Sequence, residues 1–228
     1  MMRNMAEKVI VALDFERPEA ALQTAALLRG SGCRLKVGLE LYARAGLDFV
    51  NRLAEQGFAV FLDLKLHDIP TTVEKTLRKL VDSEAAIFDV HCLGGPEMMV
   101  RAAAVCHEAG KKLLGVTMLT SMDSGAMRAV GVGGSMEEQV LRLAGLARRA
   151  GLDGVIASPR EAAALRAECG KDFLIVTPGV RPRGSAPDDQ ARVTTPAEAI
   201  AAGSSLLVVG RPITGAEDPR AALERLWD

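Results

Sequence analysis

The chain has 228 residues, 49% of them hydrophobic and 25% charged, which suits one large globular domain of ordinary composition. A formal net charge of −1 argues against a broad electrostatic footprint for nucleic acid, and no apolar run reaches the ~18 residues of a membrane span. Four cysteines (Cys33, Cys92, Cys106, Cys169) show no C-x-x-C spacing, and Met1–Glu7 is too polar for a secretory signal, so reduced thiols and a cytoplasmic location are expected rather than a disulfide frame or zinc site.

Short runs rich in Val, Ile and Leu recur along the chain. In order they are Val9–Leu13, Cys33–Val37, Ala59–Leu64, Ala85–Val90, Lys112–Thr117, Asp153–Ala157, Phe173–Thr177 and Ser205–Val209. Their near-continuous hydrophobicity predicts strands buried on both faces of a parallel sheet. Segments between them, such as Pro18–Arg29, Leu41–Glu55 and Met136–Ala150, carry the period of amphipathic helices. Pro18, Pro70, Pro96 and Pro159 sit where helices would start, and Gly57, Gly110, Gly151, Gly170 and Gly203 sit where they would end.

Eight strand–helix repeats predict a (β/α)8 TIM barrel, a single domain spanning 1–228. An open doubly wound sheet is the alternative, but no G-x-G-x-x-G follows the first strand. In a barrel, active-site residues belong at the carboxyl ends of the strands. Those ends supply Asp14, Lys36, the sequence Asp63-Leu64-Lys65 with Asp68 beyond it, Asp89 and His91, Thr120-Ser121, Pro178-Gly179-Val180-Arg181, and Gly210-Arg211. Alternation along a strand points Asp63 and Lys65 the same way.

The loops after strands seven and eight often form a phosphate site in such barrels. Here they carry Arg181, Arg183, Gln190, Arg192, Gly210 and Arg211. Arginine forks and close-approaching glycine backbone suit phosphate oxygens, so a phosphorylated small molecule is expected. The polar stretch Arg181–Arg192 is long enough to form a lid.

Plainer roles fit some of these residues individually. Asp14 suits a turn ahead of Pro18, and Asp68 suits an N-cap for a helix at Ile69. Asp63 and Lys65 could be a structural ion pair, although desolvation makes buried pairs poor stabilisers. The three histidines lack ligand spacing, and the Met-rich stretches Met98-Met99 and Met118–Met127 read as packing.

Along nearly its whole length the chain resembles the orotidine 5′-phosphate decarboxylases of the bacterial type. The matching segments are Val11-Ala12-Leu13-Asp14, Lys36-Val37-Gly38-Leu39-Glu40, Asp63–Val73, Asp89-Val90-His91 and Leu119-Thr120-Ser121-Met122. Thr177–Pro182, Asp189-Gln190-Ala191-Arg192 and Val209–Ile213 complete the set. The Asp-x-Lys-x-x-Asp element alone marks only a superfamily. With Pro-Gly-Val-Arg-Pro and Asp-Gln-x-Arg it is specific.

The resemblance implies loss of the C6 carboxylate of orotidine 5′-monophosphate to give uridine 5′-monophosphate, the last step of de novo pyrimidine synthesis, without metal or organic cofactor. It implies Lys65, Asp63, Asp68 and Lys36 as catalytic residues. Lys65 would protonate C6, Asp63 would face the departing carboxylate, and Lys36 with Asp14 would hold the ribose hydroxyls. Thr120 and Ser121 would read the pyrimidine, Arg181, Gln190, Gly210 and Arg211 would grip the phosphate, and Pro178 would contact substrate. It further implies a homodimer in which Asp68 and Thr72 reach the partner's site. A magnesium-dependent phosphosugar decarboxylase or a hexulose-phosphate synthase of the same superfamily, and a non-catalytic phosphate-ligand sensor, are the rival readings.

Overall fold

The computed structural model describes residues 5–182 and 194–227. Eight parallel strands close into a barrel in chain order: β1 (Val9–Ala12), β2 (Arg34–Gly38), β3 (Val60–Leu66), β4 (Ala85–His91), β5 (Lys112–Val116), β6 (Gly154–Ile156), β7 (Leu174–Pro178) and β8 (Leu206–Val209), with β1 pairing both β2 and β8. The strands lie where the apolar runs predicted them, because a barrel strand covered by helices outside and side chains inside must be apolar on both faces. Alternate residues divide accordingly. Ile10, Phe61, Ile87, Leu114, Val176 and Leu206 fill the interior, while Val9, Val11, Leu35, Val37, Val60 and Leu62 pack outward with the helices. Gly154 shows how tightly the staves meet: a Cβ there would come within 2.3 Å of the Leu174 carbonyl oxygen, so Gly154→Ala would drive β6 off β7.

The connecting helices are α1 (Pro18–Leu28), α2 (Leu39–Glu55), α3 (Pro70–Leu80), α4 (Gly95–Glu108), α5 (Ser124–Ala129), α6 (Met136–Arg149), α7 (Ala162–Cys169), α8 (Pro196–Ala201), α9 (Arg211–Thr214) and α10 (Pro219–Glu224). Two helices thus follow β5 and two follow β8, more than the simple repeat predicts. Pro18, Pro70 and Pro96 occupy first-turn positions as expected. Pro159 does not: it lies in a turn, and α7 begins at Ala162. Ser135 and Glu138 start α6 with a reciprocal capping box, which satisfies two otherwise unpaired backbone donors.

At the amino-terminal end of the barrel, Arg166 of α7 donates to the carbonyls of Gly170, Phe173 and Gly203 and to Ser205 Oγ. One guanidinium so ties the entries of β7 and β8 together, far along the chain from the polar strand ends.

Candidate active site

The carboxyl end of β3 is irregular, and the irregularity builds the site. Leu62 pairs with Phe88 and Leu66 with Val90, so Asp63, Leu64 and Lys65 all face the single residue Asp89. Two extra residues preserve the inward or outward parity of the strand while bending it. Lys65 takes φ +50°, a left-handed conformation that a lysine adopts only where surroundings enforce it. Its backbone N–H, freed from the ladder, donates to Asp89 Oδ1 at 2.8 Å.

This geometry gathers an alternating charge array. Lys36 Nζ, from β2, lies 3.0 Å from Asp14 Oδ1 and 3.2 Å from Asp63 Oδ2. Lys65 Nζ pairs with the other oxygen of Asp63. Lys36, Asp63 and Asp89 are buried, and Lys65 is partly exposed toward the mouth. Gly38 makes the room: a Cβ on it would stand 3.1 Å from Lys36 Nζ and 3.4 Å from Asp14 Oδ1. Across the mouth Gly210 closes the group, its absent Cβ 3.9 Å from Asp14 Oδ2.

Burial sets up the electrostatics, and opposite charges decide most of them. Burial disfavours the charge on Lys36, but Asp63 and Asp14 outweigh it and hold the ammonium above the ordinary lysine value. Burial likewise pushes Asp63 up, but Lys36, a hydrogen bond with Asp89, and Lys65 bring it below the usual carboxylate range. Asp89 goes the other way. Deep burial and then the adjacent Asp63 charge raise it well above that range. His91 is lowered by burial and then by His67, whose ring lies 5.4 Å away at 35°.

Past the carboxyl ends of β5, β6 and β7, at the same end of the barrel as the array, opens a cavity of about 620 Å³ lined by residues that follow those strands and by Met136 and Val140 of α6. It brings Thr120 and Ser121 together with Pro178, Gly179 and Thr194. Met118, Met122 and Met136 also line it, so part of the Met-rich stretch expected as plain packing forms a wall of the site. Ser158, Arg160 and Glu161 complete the β6 side. No motif pointed to them; only the closure of the barrel places that loop opposite Thr120. Glu161 is raised by burial.

Among the residues expected to meet a phosphate, Arg181 donates its N–H to the Thr194 carbonyl, next to the Val180–Thr194 bridge. Gly210 precedes α9, whose first residue is Arg211. Arg183, Gln190 and Arg192, with most of the expected lid, lie outside the described residues.

Asp68 and Thr72 are exposed and take no part in the ion pairs of the array. Asp68 is not the N-cap that its position suggested. Ile69 occupies that position without a side-chain cap, and Asp68 Oδ1 instead accepts from the Ile69 N–H at 2.6 Å. Ile69 itself is 67% exposed, a large apolar side chain next to an outward carboxylate.

Lysines interleaved with carboxylates at the strand ends of a closed (β/α)8 barrel, with a cavity of small-molecule size at the same end, define an enzyme of the barrel class. The chain belongs to the orotidine 5′-phosphate decarboxylase / HUMPS family, whose model matches residues 7–226. It is 50% identical over 221 residues to the orotidine 5′-phosphate decarboxylase of Nitrosococcus oceani, covering 96% of this chain and 95% of that one. The Haemophilus influenzae protein of the same name is 48% identical over 225 residues, with 97% and 98% covered. Among solved structures, orotidine 5′-phosphate decarboxylase from Lactobacillus acidophilus superposes with a TM-score of 0.85 at 42% identity, covering 96% of each chain. An uncharacterized conserved protein from Geobacillus kaustophilus gives 0.84 at 37% identity, covering 96% of this chain and all of that one.

Proposed function

We propose that the mouth of this barrel decarboxylates orotidine 5′-monophosphate to uridine 5′-monophosphate and CO2, the closing step of pyrimidine nucleotide synthesis. The carrying observation is the Lys36–Asp63–Lys65 array, present in a chain whose relatives bear the decarboxylase name across nearly their full length. The reading takes 1–228 as one catalytic domain.

The bond from C6 to the carboxylate breaks, its electron pair stays on C6, and CO2 departs. No carbonyl adjoins C6 to absorb that pair, so fixed positive charge beside it must stabilise the carbanion. At ~4 Å and an effective dielectric of ~20, one unit charge pair supplies about 4 kcal/mol, roughly three powers of ten in rate. Lys65 provides that charge and then the proton. Asp63 faces the departing carboxylate and anchors both lysines. Lys36 and Asp14 hold the ribose hydroxyls, and Thr120 and Ser121, on the cavity wall, read the base. Arg181, Gln190, Gly210 and Arg211 take the phosphate, whose binding energy closes the site and fixes the geometry, and Pro178 contacts the substrate.

The working unit is a homodimer in which Asp68 and Thr72 enter the partner's site. Their exposure, and that of Ile69 between them in sequence, supports this, because an outward apolar side chain beside an outward carboxylate suits a covered edge. A cytoplasmic location fits the four buried, unbridged cysteines. Among the described residues, no helix is long and apolar enough to cross a membrane.

Incubation with orotidine 5′-monophosphate, followed by loss of its ultraviolet band, tests the activity. Turnover that persists in EDTA is expected. No turnover by folded protein, or strong EDTA inhibition reversed by magnesium, contradicts it.

A further inference from the structure

Asp89 is 1% exposed and lies on the inner face of β4, two residues beyond the interior Ile87. Its Oδ1 accepts from the Lys65 N–H at 2.8 Å, while Oδ2 is buried without a donor among the described residues. The Asp89 and Asp63 carboxyls meet within hydrogen-bonding reach. From β3, then, Asp63 and Lys65 face it. On the other side its register partner in β5 is the apolar Leu114. On its own strand the nearest ionisable group is His91, which adjoins Lys65.

Two carboxylates in contact in a buried site repel unless one holds a proton. Asp63 has a lysine on each oxygen and keeps its charge. Among the described residues no ion pair reaches the Asp89 side chain; its Oδ1 takes the Lys65 backbone N–H, and the Lys65 charge acts on it only after burial and Asp63. A proton on Asp89 Oδ2, the oxygen that accepts no backbone N–H, would convert an acceptor-to-acceptor clash into a donor–acceptor contact.

We propose that Asp89 is a neutral carboxylic acid that positions the catalytic pair, its Oδ2–H donating to Asp63 while its Oδ1 holds the backbone of Lys65. The proposal deepens the decarboxylase reading of the site and rests on it. Burial and the Asp63 charge, which push Asp89 well above the usual carboxylate range, support the protonated form. Mechanically, Asp89 closes the bulge of β3. It pins the φ +50° turn that aims Lys65, and it fixes the carboxylate that Lys65 grips. Asp89 touches no reacting atom in this scheme.

An amide reproduces both contacts, with its oxygen accepting from Lys65 N–H and its NH2 donating to Asp63. An alanine removes both. Wild type, Asp89→Asn and Asp89→Ala are therefore compared with orotidine 5′-monophosphate. Asp89→Asn is expected to keep kcat within about tenfold of wild type, and Asp89→Ala to lose about a hundredfold in kcat, with KM little changed because Lys65 and not the binding contacts is displaced. The infrared difference spectrum, wild type minus Asp89→Asn at neutral pH, should contain the carbonyl band of a protonated carboxylic acid.

Loss of kcat in Asp89→Asn as deep as in Asp89→Ala, full kcat in Asp89→Ala, or absence of the protonated-carboxyl band overturns the proposal. If Asp89→Ala does not fold, the Asn variant and the infrared band decide. Failure of wild type to turn over would strike the functional reading instead, and the band would still report the state of Asp89.

Discussion

Lys36 and Lys65 grip the same carboxylate by opposite oxygens: Lys36 Nζ lies 3.2 Å from Asp63 Oδ2, and Lys65 Nζ pairs with Oδ1. Asp63 is thus the hinge of the array, and each lysine steadies it for the other. Removing Lys36 would break a buried ion pair and leave Asp63 Oδ2 without its lysine, with Lys65 alone on Oδ1, at a cost of up to about 3–5 kcal/mol. Lys36→Ala should therefore lower kcat/KM at least a hundredfold, measured by steady-state kinetics. It should also move the acid limb of the pH profile upward, because Lys36 is the largest influence holding Asp63 down. A fall of less than tenfold with an unmoved limb would count against this role.

The exposed Asp68 gives a test of shared sites. Lys65→Ala and Asp68→Ala, each inactive alone, should regain activity when mixed, since some heterodimers assemble one intact site. The regain requires that Asp68 serve the partner's Lys65. With subunit exchange verified, a mixture no more active than its components would place Asp68 in its own subunit's site or outside any.

Asp89 carries a stability signature of definite sign. Its folded value is raised above the ~3.9 of an unfolded aspartate, so its contribution is full below that pH and is lost as pH rises toward the folded value. Asparagine suffers no such loss. Asp89→Asn should melt above wild type at neutral pH, and the gap should narrow as pH falls to about 5. Thermal denaturation across that range decides; a gap that widens toward acid would show Asp89 ionised in the native protein.

Arg166 makes the contrasting prediction at the opposite end of the barrel. Arg166→Ala would leave the Gly170, Phe173 and Gly203 carbonyls without this donor. A loss of about 2–3 kcal/mol follows, or about 5–10 °C in Tm for a chain of this size. Well below the melting point kcat should hold, since residues at the amino-terminal face serve stability and not chemistry. Calorimetry and an assay on the same preparation check both halves.

The barrel was legible because burial on both faces writes each strand as an apolar run, and Val9–Ala12 or Leu206–Val209 admit little else. Polar residues at the strand ends stood out against those runs for the same reason. The bulge at Lys65 was not legible. Alternation placed Asp63 and Lys65 on one side correctly, but that outcome rests on an even number of extra residues and on Asp89 across the ladder. Nothing in the local sequence of β3 encodes a partner on β4. Ser158, Arg160 and Glu161 escaped for a related reason: they meet Thr120 and Ser121 only when β5, β6 and β7 are laid side by side. Asp68 misled in the opposite direction, since a carboxylate two residues before a helix resembles a cap whether or not the helix uses it.

The central claim is that Lys65 supplies the charge and proton for decarboxylation within a site otherwise built for binding. Lys65→Ala tests it most directly, with turnover of orotidine 5′-monophosphate and affinity for uridine 5′-monophosphate measured on the same protein. The account predicts turnover lost by at least the three powers of ten that one charge pair supplies, with nucleotide affinity retained within about tenfold. Turnover surviving the substitution would contradict it, as would nucleotide affinity lost together with turnover.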